Sequence, residues 1–173
     1  MQQKFEQIFN TLEEDRKELS ALLSPLSSDS LNFKTSEDKW SIMQIVFHVV
    51  KADRVSVLAI GKGLKSGINV KSGSDAEIRS ARLIEAMKSD VKFKAPALFA
   101  KVPDTYDLGE LQKKWETSRA QLKEILEELP EEAADLELYE HPYAGRLSLM
   151  QGLEFLHHHY LHHLKQIKRL IEA

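Results

Sequence analysis

The stretch Leu156-His157-His158-His159-Tyr160-Leu161-His162-His163-Leu164-Lys165-Gln166-Ile167 carries five of the chain's seven histidines, the others being His48 and His141. At about 100° per residue, Leu149, Leu153, Leu156, Tyr160, Leu164, Ile167 and Ile171 fall on one stripe. The segment is therefore predicted to be a helix with one packed side. Ser148 and Gln151 stand at capping-box spacing before it, and the pattern continues to about Glu172. The histidine run is interrupted and lies inside this apolar pattern, so it is native sequence and not an expression tag. His163 falls beside the stripe, and His159 lies one turn earlier on the same flank. His158 and His162 point to nearly the opposite side, where solvent is expected, and His157 sits on the other flank. Histidines four apart are neighbours on a helix surface and can grip one ion. The 159/163 pair has both that spacing and access to the interior, whereas 158/162 has the spacing but the wrong direction.

Working outward, the rest of the chain is helical nearly throughout. A first helix is predicted from about Gln3 to Leu23, with Phe5, Ile8, Phe9, Leu12, Leu19, Leu22 and Leu23 at spacings of three and four. Ser24-Pro25 ends it, because a residue before proline is pushed out of the α region. A polar loop, Ser27 to Lys39, follows. Ser41 with Gln44 forms a second capping-box pair, and Trp40 with Ile45 a hydrophobic staple. From Ile42 to about Ile60 the helix is apolar on most sides (Ile45, Val46, Val49, Val50, Val55, Val57, Leu58), so it is expected to be largely buried. Gly61, Gly63 and Gly67 are expected to stop it.

Lys65 to Asp107 reads as a long connection with a shorter helix from Asp75 to Lys88, Pro96 and Pro103 keeping the remainder irregular. A third long helix spans about Leu108 to Leu129 (Leu111, Trp115, Leu122, Ile125, Leu126, Leu129), closed by Pro130. The turn-rich segment Glu140 to Arg146 leads into the last helix. Four long helices with one long connection read as an all-α four-helix bundle, and a crossover between its second and third helices would let those two run parallel.

Composition narrows the chemistry. The 173 residues suit a single domain, 1–173, able to bury roughly 70% of its extended surface. There is no cysteine, which removes disulfides, protein thiolates and cysteine-ligated zinc. Any transition metal must be held by imidazole and oxygen. The net charge of −3, with lysines scattered among acids, gives nucleic-acid binding no electrostatic support. No apolar stretch approaches the ~20 residues of a membrane span. The N-terminus has no signal-peptide character, so no membrane association and a cytoplasmic location are expected.

A three-histidine site leaves a coordination position open, as catalytic zinc sites do. A bound divalent ion would keep its full charge there, a strong Lewis acid. Spacing alone does not decide for it. A histidine-rich face is often merely solvated, and a lone histidine on a buried helix, such as His48, is more often a hydrogen-bonded core residue.

Three segments resemble a known family. Lys39-Trp40-Ser41-Ile42-Met43-Gln44-Ile45-Val46-Phe47-His48 resembles the Trp-Ser-x-x-Glu-x-x-x-x-His signature of the DinB-like superfamily, which includes the YfiT-like metal-dependent hydrolases. His159-Tyr160-Leu161-His162-His163-Leu164-Lys165-Gln166-Ile167 is similar to its C-terminal His-x-x-x-His followed by Gln-Ile. His141-Pro142-Tyr143-Ala144-Gly145-Arg146-Leu147-Ser148 resembles its His-Pro-x-x-Gly-x-Leu-Ser/Thr turn. The likeness covers nearly the whole chain. Gln44 departs from it, since many relatives carry an acid there, but the capping role accepts either residue. The resemblance implies an up-down-down-up bundle, frequently homodimeric, with His48, His159 and His163 binding zinc, nickel or iron near one end.

Three functions are to be weighed, of which the resemblance implies the first two. The first is transfer of a low-molecular-weight thiol to a small electrophile, for which the absence of protein cysteine is congenial. The second is hydrolysis of a small amide or ester, which normally wants a general base. Asp53 lies five residues after His48 and Glu154 five before His159, both poorly phased, and Asp53 reads as an internal salt-bridge partner. The third is a non-catalytic stress protein that binds a metal or ligand. Tyr139, His141 and Tyr143 could line the mouth of a site, although a packed turn is the plainer account.

Overall fold

Reciprocal caps begin both helices that carry the paired histidines. Ser41 Oγ accepts from the Gln44 backbone N–H at 3.2 Å while Gln44 Oε1 accepts from Ser41 N–H at 3.1 Å. Ser148 and Gln151 repeat the arrangement at 3.1 and 2.9 Å. Each box satisfies donors that a helix start leaves without intrahelical partners.

The computed structural model describes residues 1–89 and 102–172. Its helices are α1 (Gln3–Leu23), α2 (Ser28–Asn32), α3 (Ile42–Lys65), α4 (Ser74–Lys88), α5 (Leu108–Glu128) and α6 (Leu149–Ile171). A two-stranded antiparallel hairpin, β1 (Tyr139–His141) and β2 (Gly145–Leu147), precedes α6, with Tyr139 opposite Leu147 and His141 opposite Gly145. The described chain is mostly helical with little strand, in line with the all-α expectation.

Four expectations change. α3 runs past Ile60 to Lys65, straight through Gly61 and Gly63. Gly63 is there for closeness: a Cβ at that position would sit 2.5 Å from the Leu138 carbonyl oxygen. The helix stops instead near Gly67, whose φ of +69° suits glycine. Leu58 is 57% exposed, so the second half of α3 is not buried all round. The loop after α1 contains α2, begun by Ser27 Oγ accepting from Ser30 N–H, and too short to show a period. The segment read as turns is the hairpin. Around Pro103 the chain is irregular as expected, while Pro96 lies outside the described residues.

α3 packs on α5 and α6, α1 packs on α6 and α5, and α4 lies against α6. The buried apolar side chains form two clusters. One holds Phe5 and Leu12 of α1, Val57 and Ile60 of α3, Leu122 and Leu126 of α5, and Leu149 and Leu153 of α6. The other holds Leu19 and Leu23, Val46 and Val50, Leu111 and Trp115, and Leu164 and Ile167.

On each of these helices a polar residue stands between its two apolar sets. Asp53 meets Arg119 Nη2 at 2.7 Å and accepts from Ser118 Oγ at 2.7 Å. Asp15 Oδ2 lies 2.8 Å from His157 Nδ1. The expectation that Asp53 is a salt-bridge partner holds. Burying charged groups is tolerable only because they are paired in this way.

Candidate metal centre

α3 presents His48 two turns after its cap, and α6 presents His159 and His163 on adjacent turns of one face. All three are buried, each at 8% exposure, so their rings face the interior and not bulk water. His159 Nε2 lies 3.1 Å from His48 Nε2 and 3.1 Å from His163 Nε2. One ring nitrogen from each falls within 4.8 Å of the others, and the group could hold a divalent metal ion. Four ligands at about 2.0 Å in a tetrahedron stand roughly 3.3 Å apart, close to the two 3.1 Å spacings that His159 makes. A neutral imidazole has one N–H, so a single hydrogen on His159 Nε2 cannot serve both neighbours well. Convergent nitrogen lone pairs are what a cation would satisfy.

Burial also keeps these rings in the ligating form. It pushes His48 down to about 4, helped by His162 and Lys51. It pushes His163 down to about 3, and His159 well below its ordinary range. All three are therefore neutral at pH 7, as metal ligation requires. Other histidines and Lys51 add to the effect of burial, since each positive charge nearby disfavours another.

A model of the DinB superfamily matches residues 11–167, taking in all three histidines and both capping boxes. The chain belongs to the DinB superfamily. It is also 32% identical over 165 residues to the uncharacterized protein YuaE of Bacillus subtilis (strain 168), covering 95% of this chain and 96% of that relative.

Aromatic rings flank the histidine group of this DinB protein. Trp40 lies 5.5 Å from the His48 ring, and Phe155 stacks on His159 at 5.4 Å. His141 packs edge-on against Phe155 at 4.5 Å, so it stands one ring away from His159. It does not join the three. Its Nδ1 accepts from the backbone N–H groups of Tyr143 and Ala144, at 3.2 and 3.1 Å, and so holds the hairpin turn. Tyr139 is buried with its hydroxyl 3.0 Å from Ser56 Oγ, while Tyr143 is 62% exposed. The packed-turn account is thus the better one for Tyr139 and His141.

The remaining histidines divide differently from the helical wheel. His162 does not face open solvent, because α4 covers that side of α6: its Nδ1 lies 2.9 Å from the Met87 carbonyl. His158 is half-buried, and His157 pairs with Asp15. Gln166, which the wheel did not single out, lies with Oε1 2.8 Å from His163 Nδ1. Its signal was present as the one-turn spacing from His163. Glu154 is exposed and Asp53 is engaged by Arg119, so neither stands as a base at the three histidines.

His141 gives the fold a pH dependence. Burial holds it at about 4, against 6.5 for the free side chain. Between those values the unfolded chain binds the extra proton and the folded chain does not. Stability therefore rises with pH through the window, and is lost as pH falls from about 6.5 to about 4. A shift of this size corresponds to about 3 kcal/mol. His141→Asn, compared with the parent in urea melts at neutral and acid pH with chelator present, is expected to show a shallower dependence. An unchanged slope would remove His141 from this role.

Proposed function

We propose that this chain is a metal-dependent enzyme that transfers a low-molecular-weight thiol to a small electrophile, with His48, His159 and His163 holding zinc, nickel or iron. The observation that carries the proposal is the convergence of three neutral, buried ring nitrogens, all within 4.8 Å of one another. When bound, a divalent ion there would supply Lewis acidity at a position left open for a fourth ligand. The chain's own residues do the rest. Trp40 and Phe155 wall the group with apolar surface that limits water. Gln166 Oε1 lies 2.8 Å from His163 Nδ1. The chain has no cysteine, so a sulfur nucleophile must arrive with a cosubstrate.

Hydrolysis is the weaker reading, because it wants a base within hydrogen-bond reach of the attacking water and Asp53 is committed to Arg119. The same proposal takes the fold as a four-helix bundle running up-down-down-up. It is supported by the way each core cluster draws on the N-terminal halves of α1 and α6 with the C-terminal halves of α3 and α5, or the reverse.

Metal analysis of the purified protein, followed by a thiol panel, tests the reading. The expected result is about one equivalent of divalent metal. A generic epoxide or halide should be conjugated in the presence of glutathione, bacillithiol or mycothiol, with activity lost on chelation and restored by metal. Ester or amide cleavage without any thiol would turn the assignment to the hydrolase.

A further inference from the structure

The three α6 side chains His163, Gln166 and His162 form a chain of contacts that ends on a different helix. His163 Nδ1 meets Gln166 Oε1 at 2.8 Å, Gln166 Nε2 meets His162 Nε2 at 3.2 Å, and His162 Nδ1 meets the Met87 carbonyl at 2.9 Å. The carbonyl can only accept, so His162 Nδ1 must carry the hydrogen. With the ring's one hydrogen on Nδ1, Nε2 offers a lone pair to the Gln166 amide nitrogen 3.2 Å away. That sets the amide, leaving its oxygen to accept from His163 Nδ1–H. His163 Nε2 is left with its lone pair, 3.1 Å from His159 Nε2. The reverse orientation of the Gln166 amide would set an oxygen against a lone pair at His162.

We propose that Gln166, anchored through His162 to the Met87 carbonyl of α4, is a positioning residue that fixes His163 as the Nδ1–H tautomer and so aims its Nε2 at the ion. The inference rests on the metal-site reading above, but its structural half concerns the protein without metal. Hydrogen bonds from the second nitrogen of a ligating histidine fix its tautomer and ring orientation, and their loss typically costs 10–100-fold in metal affinity. The usual partner is a carboxylate, a backbone carbonyl or water. A neutral amide orients the ring without adding negative charge, so the ion's Lewis acidity is not reduced. The anchor on Met87 also makes the ligand's orientation depend on the docking of α4 against α6.

Two measurements on the full chain test the relay. Nitrogen-15 NMR of the histidine rings in chelator-treated protein at about pH 8, where an ordinary imidazole is neutral, should find His163 protonated on Nδ1. In Gln166→Leu that signature should shift toward the other tautomer, and the dissociation constant for Zn²⁺, from competition with a chromophoric chelator, should rise about 10–100-fold. Gln166→Glu keeps an acceptor for His163 Nδ1–H but sets its second oxygen against the His162 Nε2 lone pair, so it should restore the His163 tautomer while leaving the contact to His162 broken. His162→Phe should weaken Zn²⁺ binding by less than Gln166→Leu. Melting curves confirm that each variant is folded. His163 protonated on Nε2 in the parent, or a Gln166→Leu variant with unchanged tautomer and affinity, overturns the relay even if the parent binds zinc. A parent that keeps the expected tautomer but takes up no divalent metal removes the metal reading and leaves the relay standing.

Discussion

On the proposed metal-site reading, His48→Ala is expected to abolish tight binding of divalent metal while leaving the protein folded. His159 and His163 sit on one helix and remain as a two-point site, but the third point comes only from α3. Complete structural zinc sites are worth about 10–16 kcal/mol, or roughly 3 kcal/mol for each of four ligands. Losing one ligand should therefore raise the dissociation constant at least ~100-fold. Elemental analysis after gel filtration and chelator competition for Zn²⁺ provide the readout. His158→Ala is the matched control: it removes a half-buried imidazole from the same run without touching the convergent group. It should keep its metal. If His48→Ala retains parental stoichiometry and affinity, the three nitrogens are not the ligand set, whatever their geometry.

The contrast between those two substitutions shows how the site was legible. Spacing and phase on α6 were enough to separate 159/163 from 158/162, because a helix's angular period is fixed by its backbone. Membership of His48 came from the family-like signature around Trp40–His48. A helical wheel cannot say which turn of another helix lies opposite. For the same reason the fate of His162 was misread: solvent was expected where α4 docks, and that docking belongs to tertiary structure. Gly63 taught a related lesson. Read locally it is a helix breaker, yet it serves the approach of the Leu138 carbonyl some 75 residues later. The hairpin escaped notice because three-residue strands are too short to alternate visibly. The starts of the capped helices, and both ends of α1, α5 and α6, were recovered almost to the residue, whereas α3 runs five residues past its expected end.

The buried pair between Asp53 and Arg119 should have the largest effect on stability. Asp53→Ala would leave the Arg119 guanidinium, on a residue only 4% exposed, with Glu13 at 3.7 Å in place of its 2.7 Å partner, and Ser118 Oγ without its acceptor. Removing one member of a buried ion pair costs about 3–5 kcal/mol, because the stranded charge keeps its desolvation penalty. For a chain of this size that is on the order of 10 °C in melting temperature. The exposed Lys123–Glu127 pair, at 3.7 Å with both side chains about half exposed, should by contrast be worth only a few tenths of a kcal/mol. The decisive variant is the double substitution Asp53→Leu with Arg119→Met. It deletes both charges and fills the volume, so most of the lost stability should return. If the double variant is as unstable as Asp53→Ala, the cost lies in lost packing and not in an orphaned cation. Asp53 lies about 140° around α3 from His48, five residues on, so metal affinity in the folded single variant should match the parent. A fall in affinity there would mean that Asp53 acts on the histidines after all, and would reopen it as a base for hydrolysis.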